Sequence, residues 1–251
     1  DFSEQIVIYP SVDPVVGLTL DRHLPLGPHT RRFGLHEDPA RLRGCRAYQP
    51  SDSLRRIHWP NMARTGRVQV KEWETTLDAE IGIFLNLCEQ DYPVADWFSL
   101  SELAIETAAS LICHLGNRGE RVGFYCNGIT ADGAEGLYQS KPKQGQRQVE
   151  KALSYLAAVK TGQGVPQELL YKEVAQLAAG ACLLFITPTI TLELIKQIAL
   201  WRGAGYHPVL LLVQDTIRSI PQLELDQARL TWFRVGRGRS NNAIQLAKSG
   251  C

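Results

Sequence analysis

The chain has 251 residues, of which 44% are hydrophobic, enough to build one large α/β domain carrying a smaller partner. Twenty-seven Lys and Arg against 26 Asp and Glu leave a net charge of +1, which argues against a general nucleic-acid or polybasic membrane binder. The longest apolar runs, such as 209–213, are strand-sized, and the opening Asp1-Phe2-Ser3-Glu4 lacks the basic start and apolar core of a secretory signal.

Two regions read differently, 1–79 and 80–251. The first holds seven of the thirteen prolines. Within it Gln5–Tyr9 reads as a short strand ended by Pro10, and the chain to about Ala40 as turn-rich. The segment 41–74 carries eight basic and three acidic residues, a local positive excess inside a neutral chain. Pro50, Ser51 and Asp52 predict a turn in which Asp52 caps a short helical turn. Pro60 suits the start of a second short helix that Gly66 terminates, and Val68–Glu74 then reads as a strand. The positive excess fits either an anion or acidic-partner surface, or internal pairing of Arg55, Arg56, Arg64 and Lys71 with Asp52, Glu72 and Glu74.

From Glu80 strands and helices alternate. Ile81–Leu85 is a continuous apolar run suited to a strand buried on both faces. Ser99 with Glu102 forms a capping box at the head of a helix that Gly116 or Gly119 stops. A strand at 121–126, helices near 144–158 and 167–178, a strand at 182–186, a helix at 190–202 and strands at 208–213 and 230–235 complete the pattern. Such alternation predicts an α/β fold with a doubly wound, mostly parallel sheet, whose ligands bind at the carboxyl ends of the strands.

The run Tyr48-Gln-Pro50-Ser-Asp52-Ser-Leu-Arg55-Arg56-Ile57-His58-Trp59, with Ala63-Arg64-Thr-Gly66-Arg-Val-Gln-Val-Lys71-Glu72-Trp-Glu74, resembles the signature of the domain-of-unknown-function 58 family. That signature runs Y-x-P-G-D-x-x-R-x-I-x-W, then A-R-x-G-x-L-x-V-[KR]-E-[aromatic]-E. Ser51 stands at the usual glycine, and Pro60-Asn61-Met62 departs from the commoner Lys-Ala. The resemblance implies that 1–79 is a small β and turn-rich segment bearing the signature, and that 80–251 is a von Willebrand factor A-like domain.

Such domains often hold Mg²⁺ through D-x-S-x-S after the first strand, a Thr and a further Asp, because a hard cation needs hard oxygen ligands and negative charge. Here Asn86 stands at the Asp, Cys88 and Gln90 at the serines, and Pro188 at the second acid. A thiol and a proline are poor partners for Mg²⁺, so the expectation is a degenerate site with no metal and no cofactor. Glu89 or Asp91 could rescue a weak cation site, but the alternation of the loop points them differently. Asn86, Cys88, Gln90, Thr187 and Thr189 remain as a top face able to bind through neutral polar groups.

Other candidates are weaker. His23, His29 and His36 fit no compact ligand template. Cys113 and His114, adjacent on one helix, face different ways, and no nucleophile elbow, phosphate loop or dinucleotide fingerprint occurs. The six cysteines show no C-x-x-C pair and read as reduced thiols, most of them in apolar stretches. Gly236-Arg237-Gly238-Arg239-Ser240 offers a short anion-binding turn, and Trp97 and Trp201 read as partly exposed near helix ends.

The resemblance implies a non-catalytic interaction or chaperone-like adaptor module acting with a MoxR-type AAA ATPase, and sometimes with transglutaminase-like proteins. It also implies a bacterial protein held at the cytoplasmic face of the membrane by segments ahead of Asp1. Tyr48, Pro50, Asp52, Arg55, Arg56, Ile57, His58, Trp59, Arg64, Gly66, Lys71 and Glu72 are then residues for structural latching or partner docking. The alternatives are a phosphate- or anion-binding module (nucleic acid or anionic lipid) using 41–74, or a hydrolase.

Overall fold

The structure is a computed structural model, and it describes residues 7–16, 37–48, 57–75, 80–130, 136–162, 165–213, 230–237 and 243–248. In chain order its elements are β1 (Val15–Val16), β2 (Glu37–Ala47), α1 (Trp59–Thr65), β3 (Gln69–Thr75), β4 (Glu80–Leu85), α2 (Trp97–Asn117), β5 (Arg121–Cys126), β6 (Ile129–Thr130) and β7 (Tyr138–Lys143). There follow α3 (Gln146–Leu156), β8 (Val159–Lys160), α4 (Glu168–Glu173), β9 (Cys182–Thr187), α5 (Leu192–Gly203), β10 (His207–Val213), β11 (Thr231–Arg237) and β12 (Ile244–Lys248). They fall into two compact units, Pro25–Asp78 and a larger one made of Asp1–Leu24 with Ala79–Cys251.

The larger unit is built on one eight-stranded sheet in the order β1-β12-β11-β10-β9-β4-β5-β7. Strands β11, β10, β9, β4 and β5 run parallel to their neighbours, while β7 and β12 join antiparallel. From β4 the chain winds outward through β5 to β7, then returns to the other side of β4 and continues outward from β9. The order therefore reverses between β4 and β9, the place where such sheets form a crevice at their carboxyl ends.

Helices cover both faces, as the unbroken apolar strands require. On one face Phe84, Tyr125 and Phe185 pack with Leu170, Val174, Leu177, Leu194, Ile198 and Trp201 of the α4–α5 side. Four rings stack in succession there: Tyr125 on Phe84 at 4.8 Å, Phe84 on Phe185 at 4.4 Å, and Phe185 on Trp201 at 4.9 Å. Trp201 is thus a core residue, not the partly exposed one its place near a helix end suggests. Against the other face lies α2, with Leu103, Ala104, Leu111, Ile112 and Leu115 buried. At 21 residues α2 is long and apolar enough to cross a membrane, which the run-length reading missed, but 67% of its apolar window is buried inside the fold, as in a core helix.

Several boundaries differ from the sequence reading. Residues 7–9 form no strand, and Val7, Ile8 and Tyr9 are exposed; pairing begins at Val15, which lies beside Ile244. The turn-rich expectation to Ala40 gives way at Glu37, where β2 begins despite Pro39. Helix α2 starts at Trp97 with Asp96 as its N-cap, so Ser99 lies inside it and makes no cap. The signal was displaced because Trp97 and Phe98 sit outside the buried stripe. Strand β7 escaped notice because Tyr-Gln-Ser-Lys-Pro-Lys is polar and holds Pro142, features of a sheet edge.

In the smaller unit β2 and β3 pair antiparallel, with register shifts on the β2 side. Ile57 bridges to Val70, and both are buried.

Candidate functional site

The site is assembled by the loops that leave β4, β5 and β9. Asn86, one residue beyond β4, is buried to 1% exposure, and its main-chain N–H donates to Ile186 O at 3.0 Å. Its amide group donates to Asp91 Oδ2 at 2.7 Å and to Thr187 Oγ1 at 3.3 Å. Its Oδ1 accepts from the Cys88 N–H at 3.1 Å and from Asn127 Nδ2 at 2.9 Å. Asn127, just past β5, also donates to Val165 O at 2.9 Å and accepts from the Leu87 N–H at 2.7 Å. The Tyr92 hydroxyl donates to Asn86 O at 2.8 Å. Thr187 Oγ1 donates in turn to Thr189 O at 3.1 Å. Two buried amides thus tie three strand ends together, and each amide donor and acceptor is used within the protein.

The loop geometry makes this possible. Residues Glu89–Asp91 form a 3₁₀ turn, so the extended alternation expected of them fails and Asp91 reaches Asn86 while Glu89 stays exposed. Gly162 braces the same loop by accepting from Glu89 N–H and donating to Leu87 O. A Cβ at Gly162 would stand 2.1 Å from Ile129 side-chain carbons, so any larger residue there requires Ile129 to move.

Burial raises the Cys88 thiol, and the Asp91 and Glu168 carboxylates push it further in the same direction. Tyr92 is raised well above the ordinary phenol by its burial. Cys126 is pushed up to about 12 by burial and Cys182 well above its usual value, so these thiols stay protonated and weakly nucleophilic near neutral pH. Among the described residues no group of three or more His, Cys, Asp or Glu is placed to hold a metal ion.

Of the predicted top-face residues, Asn86, Cys88, Thr187 and Thr189 come together, whereas Gln90 is exposed and Pro188 is buried. Sequence reasoning missed Asn127, Tyr92 and Gly162 and misplaced Asp91. For Asn127 the signal was present, a polar residue directly after an apolar strand end.

The signature residues form a separate structure in the smaller unit. His58 Nδ1 accepts from the Asn61 N–H at 3.0 Å and so caps α1, while Gly66 ends it in the left-handed conformation at φ 68°. The His58 N–H donates to Gln69 O at 2.9 Å, and the Tyr48 N–H to Val68 O at 3.2 Å. Asn61, the departure from the family pattern, donates to Gln69 Oε1 and accepts from Arg64 at 3.2 Å. Trp59 is 63% exposed, Lys71 is half-buried on β3, and Glu72 lies on the same strand opposite Gly44. Pro50, Asp52, Arg55 and Arg56 lie outside the described residues, as do His23, His29 and His36. Arg237 donates to both Glu106 oxygens, at 3.0 and 2.9 Å; residues 238–240 of its glycine-arginine run lie outside the described residues.

Fold and site together define a mixed α/β protein whose sheet reversal point is closed by an amide-centred network. The chain belongs to the family described as "Protein of unknown function DUF58", whose model matches residues 44–181. Among curated proteins no sequence matches significantly. Two solved structures resemble it in part. One is an aerotolerance-related membrane protein from Bacteroides fragilis, 16% identical, covering 65% of this chain and 93% of that one with a TM-score of 0.42. The other is proximal thread matrix protein 1 from the mussel byssus, 10% identical over 60% of this chain, also with a TM-score of 0.42. This chain spans 41% of the mussel protein's length.

Proposed function

We propose that this chain is a non-catalytic protein-interaction module, a von Willebrand A-like domain that binds through the carboxyl end of its sheet without a metal ion. The observation that carries the reading is the Asn86 network. At the reversal point, where an adhesion-type cation would need carboxylates, an amide donates to Asp91 and Thr187 and takes up their oxygens from within. The thiols nearest the network are held protonated. The family resemblance adds the partner, a MoxR-type AAA ATPase met at the cytoplasmic face of the membrane in an adaptor role.

The test is titration of the folded chain with a purified MoxR-type ATPase from the source organism, with Mg²⁺ and with EDTA. Saturable binding that survives EDTA, and that weakens at least about ten-fold on Thr189→Lys, is the expected result. Absence of binding, or binding abolished by EDTA, overturns the reading.

A further inference from the structure

Helix α2 opens with a segment that buries almost nothing. Residues 94–99 are all exposed, and among them Val94 is 92%, Trp97 43% and Phe98 61% accessible. Trp97 and Phe98 meet edge to face at 5.7 Å, so the two rings form one apolar surface. Three large apolar side chains within five residues, beside a buried polar network, gain nothing for the fold by standing in water.

Along the chain on either side of them charge has one sign. From Ile81 to Asn117 the chain has no Lys or Arg but carries Glu89, Asp91, Asp96, Glu102 and Glu106. Glu106 is already engaged by Arg237. Asp91 also shares a neighbourhood with two further carboxylates: Glu168 at the head of α4 and Glu193 at the head of α5 act with it on the Tyr171 hydroxyl, joining burial in raising it. Helix dipoles explain carboxylates at helix starts, Asp96, Glu168 and Glu193 among them. They do not explain Val94, Trp97 and Phe98.

We infer that Val94, Trp97 and Phe98, with Asp96 among them and Glu89 and Asp91 shortly ahead in the chain, dock a basic protein segment that carries apolar anchors. The inference rests on the reading of this end of the sheet as a protein-binding face, and it names the chemistry of what binds there. Apolar contact supplies the affinity, and the carboxylates next to these residues in the chain select Lys and Arg over acidic or purely polar segments.

The probe is a fluorescein-labelled amphipathic Lys/Leu peptide, with Lys/Ser and Glu/Leu peptides of equal length beside it. The Lys/Leu peptide is expected to bind alone, to lose at least about ten-fold in affinity on Val94→Ser with Phe98→Ser, and to show a shallower salt dependence on Glu89→Gln with Asp96→Asn. All four positions are exposed, and circular dichroism confirms that the variants remain folded. Equal binding of the Glu/Leu peptide, or affinity unchanged in both variants, overturns the inference. So does concentration-dependent dimerisation lost on Phe98→Ser, since the occupant is then a second copy. ATPase binding that persists while the peptide fails removes this inference and leaves the adaptor reading standing. Peptide binding through these residues without ATPase binding does the reverse.

Discussion

At the end of β4 the polar side chains are inside: Asn86 and Asn127 are buried, bonded to one another, and surrounded by the main chain of three loops. On α1 they are outside: no residue of that helix is buried, and its hydrogen bonds run along its own surface to Gln69 of β3. The recognisable signature lies mainly in the second region, and the cooperative structure in the first. A sequence pattern can therefore mark a family through a locally folded segment while the residues that organise the carboxyl end of the sheet lie elsewhere, in single positions.

The difference is sharpest in what each region loses when one side chain is removed. Asn127→Ala takes away an acceptor for the Leu87 N–H and donors to Asn86 Oδ1 and Val165 O, all in a buried setting. Leaving such groups unsatisfied should destabilise the larger unit by about 3 kcal/mol, read as a drop in the urea midpoint with unchanged slope. A loss below about 1 kcal/mol would mean that water reaches the network, and the contrast between the regions would shrink.

Asn86→Asp keeps the shape and changes the sign of the chemistry. A carboxylate would replace the amide that now donates to Asp91 at 2.7 Å, placing two negative groups together at a buried position. Desolvation and Asp91 both raise the new group's folded pKa above its unfolded value. Its ionisation then opposes folding: relative to the parent, the variant is least impaired below the unfolded carboxyl pKa and loses stability as pH rises through the raised folded one. The expected deficit at neutral pH is about 2 kcal/mol, measured by thermal unfolding across pH. Millimolar Mg²⁺ should recover part of it in the variant and leave the parent unmoved, because only the variant offers two carboxylates beside Thr187.

How much of this was legible beforehand divides along the same line. The central strands were readable because Ile81–Leu85, Cys182–Ile186 and 208–213 are buried on both faces and must be apolar throughout. The α1 helix was readable too, since Pro60 and Gly66 bracket it and act locally. The network was not. Asn86 was noticed through the resemblance, but Asn127 lies 41 residues away and meets it only through strand pairing of β4 with β5. Asp91 was misplaced because a 3₁₀ turn replaced the assumed extended loop. Edge strands were missed for a related reason: β7 is selected for polarity and proline, which remove the very period that announces a strand.

Within the signature region the effects should be smaller and purely local. His58→Ala removes the acceptor for the Asn61 N–H and should lower stability of the smaller unit by about 1 kcal/mol, with His58→Asn restoring most of it as an alternative cap. Amide exchange of residues 61–65 is the appropriate readout, because the loss is confined to the first turns of α1.

The least effect is expected from the most conspicuous residue. Trp59 heads α1 and matches the signature, yet it is 63% exposed, so Trp59→Ala should change stability by less than about 0.5 kcal/mol in chemical unfolding. Core aromatics behave otherwise: Trp201, stacked on Phe185 at 4.9 Å, should cost about 3 to 5 kcal/mol when truncated to alanine. If Trp59→Ala proves as damaging as Trp201→Ala, the ring is covered in the folded protein and the signature belongs with the buried structure. If it is silent in unfolding, the place of this tryptophan in the signature owes nothing to the stability of its own unit.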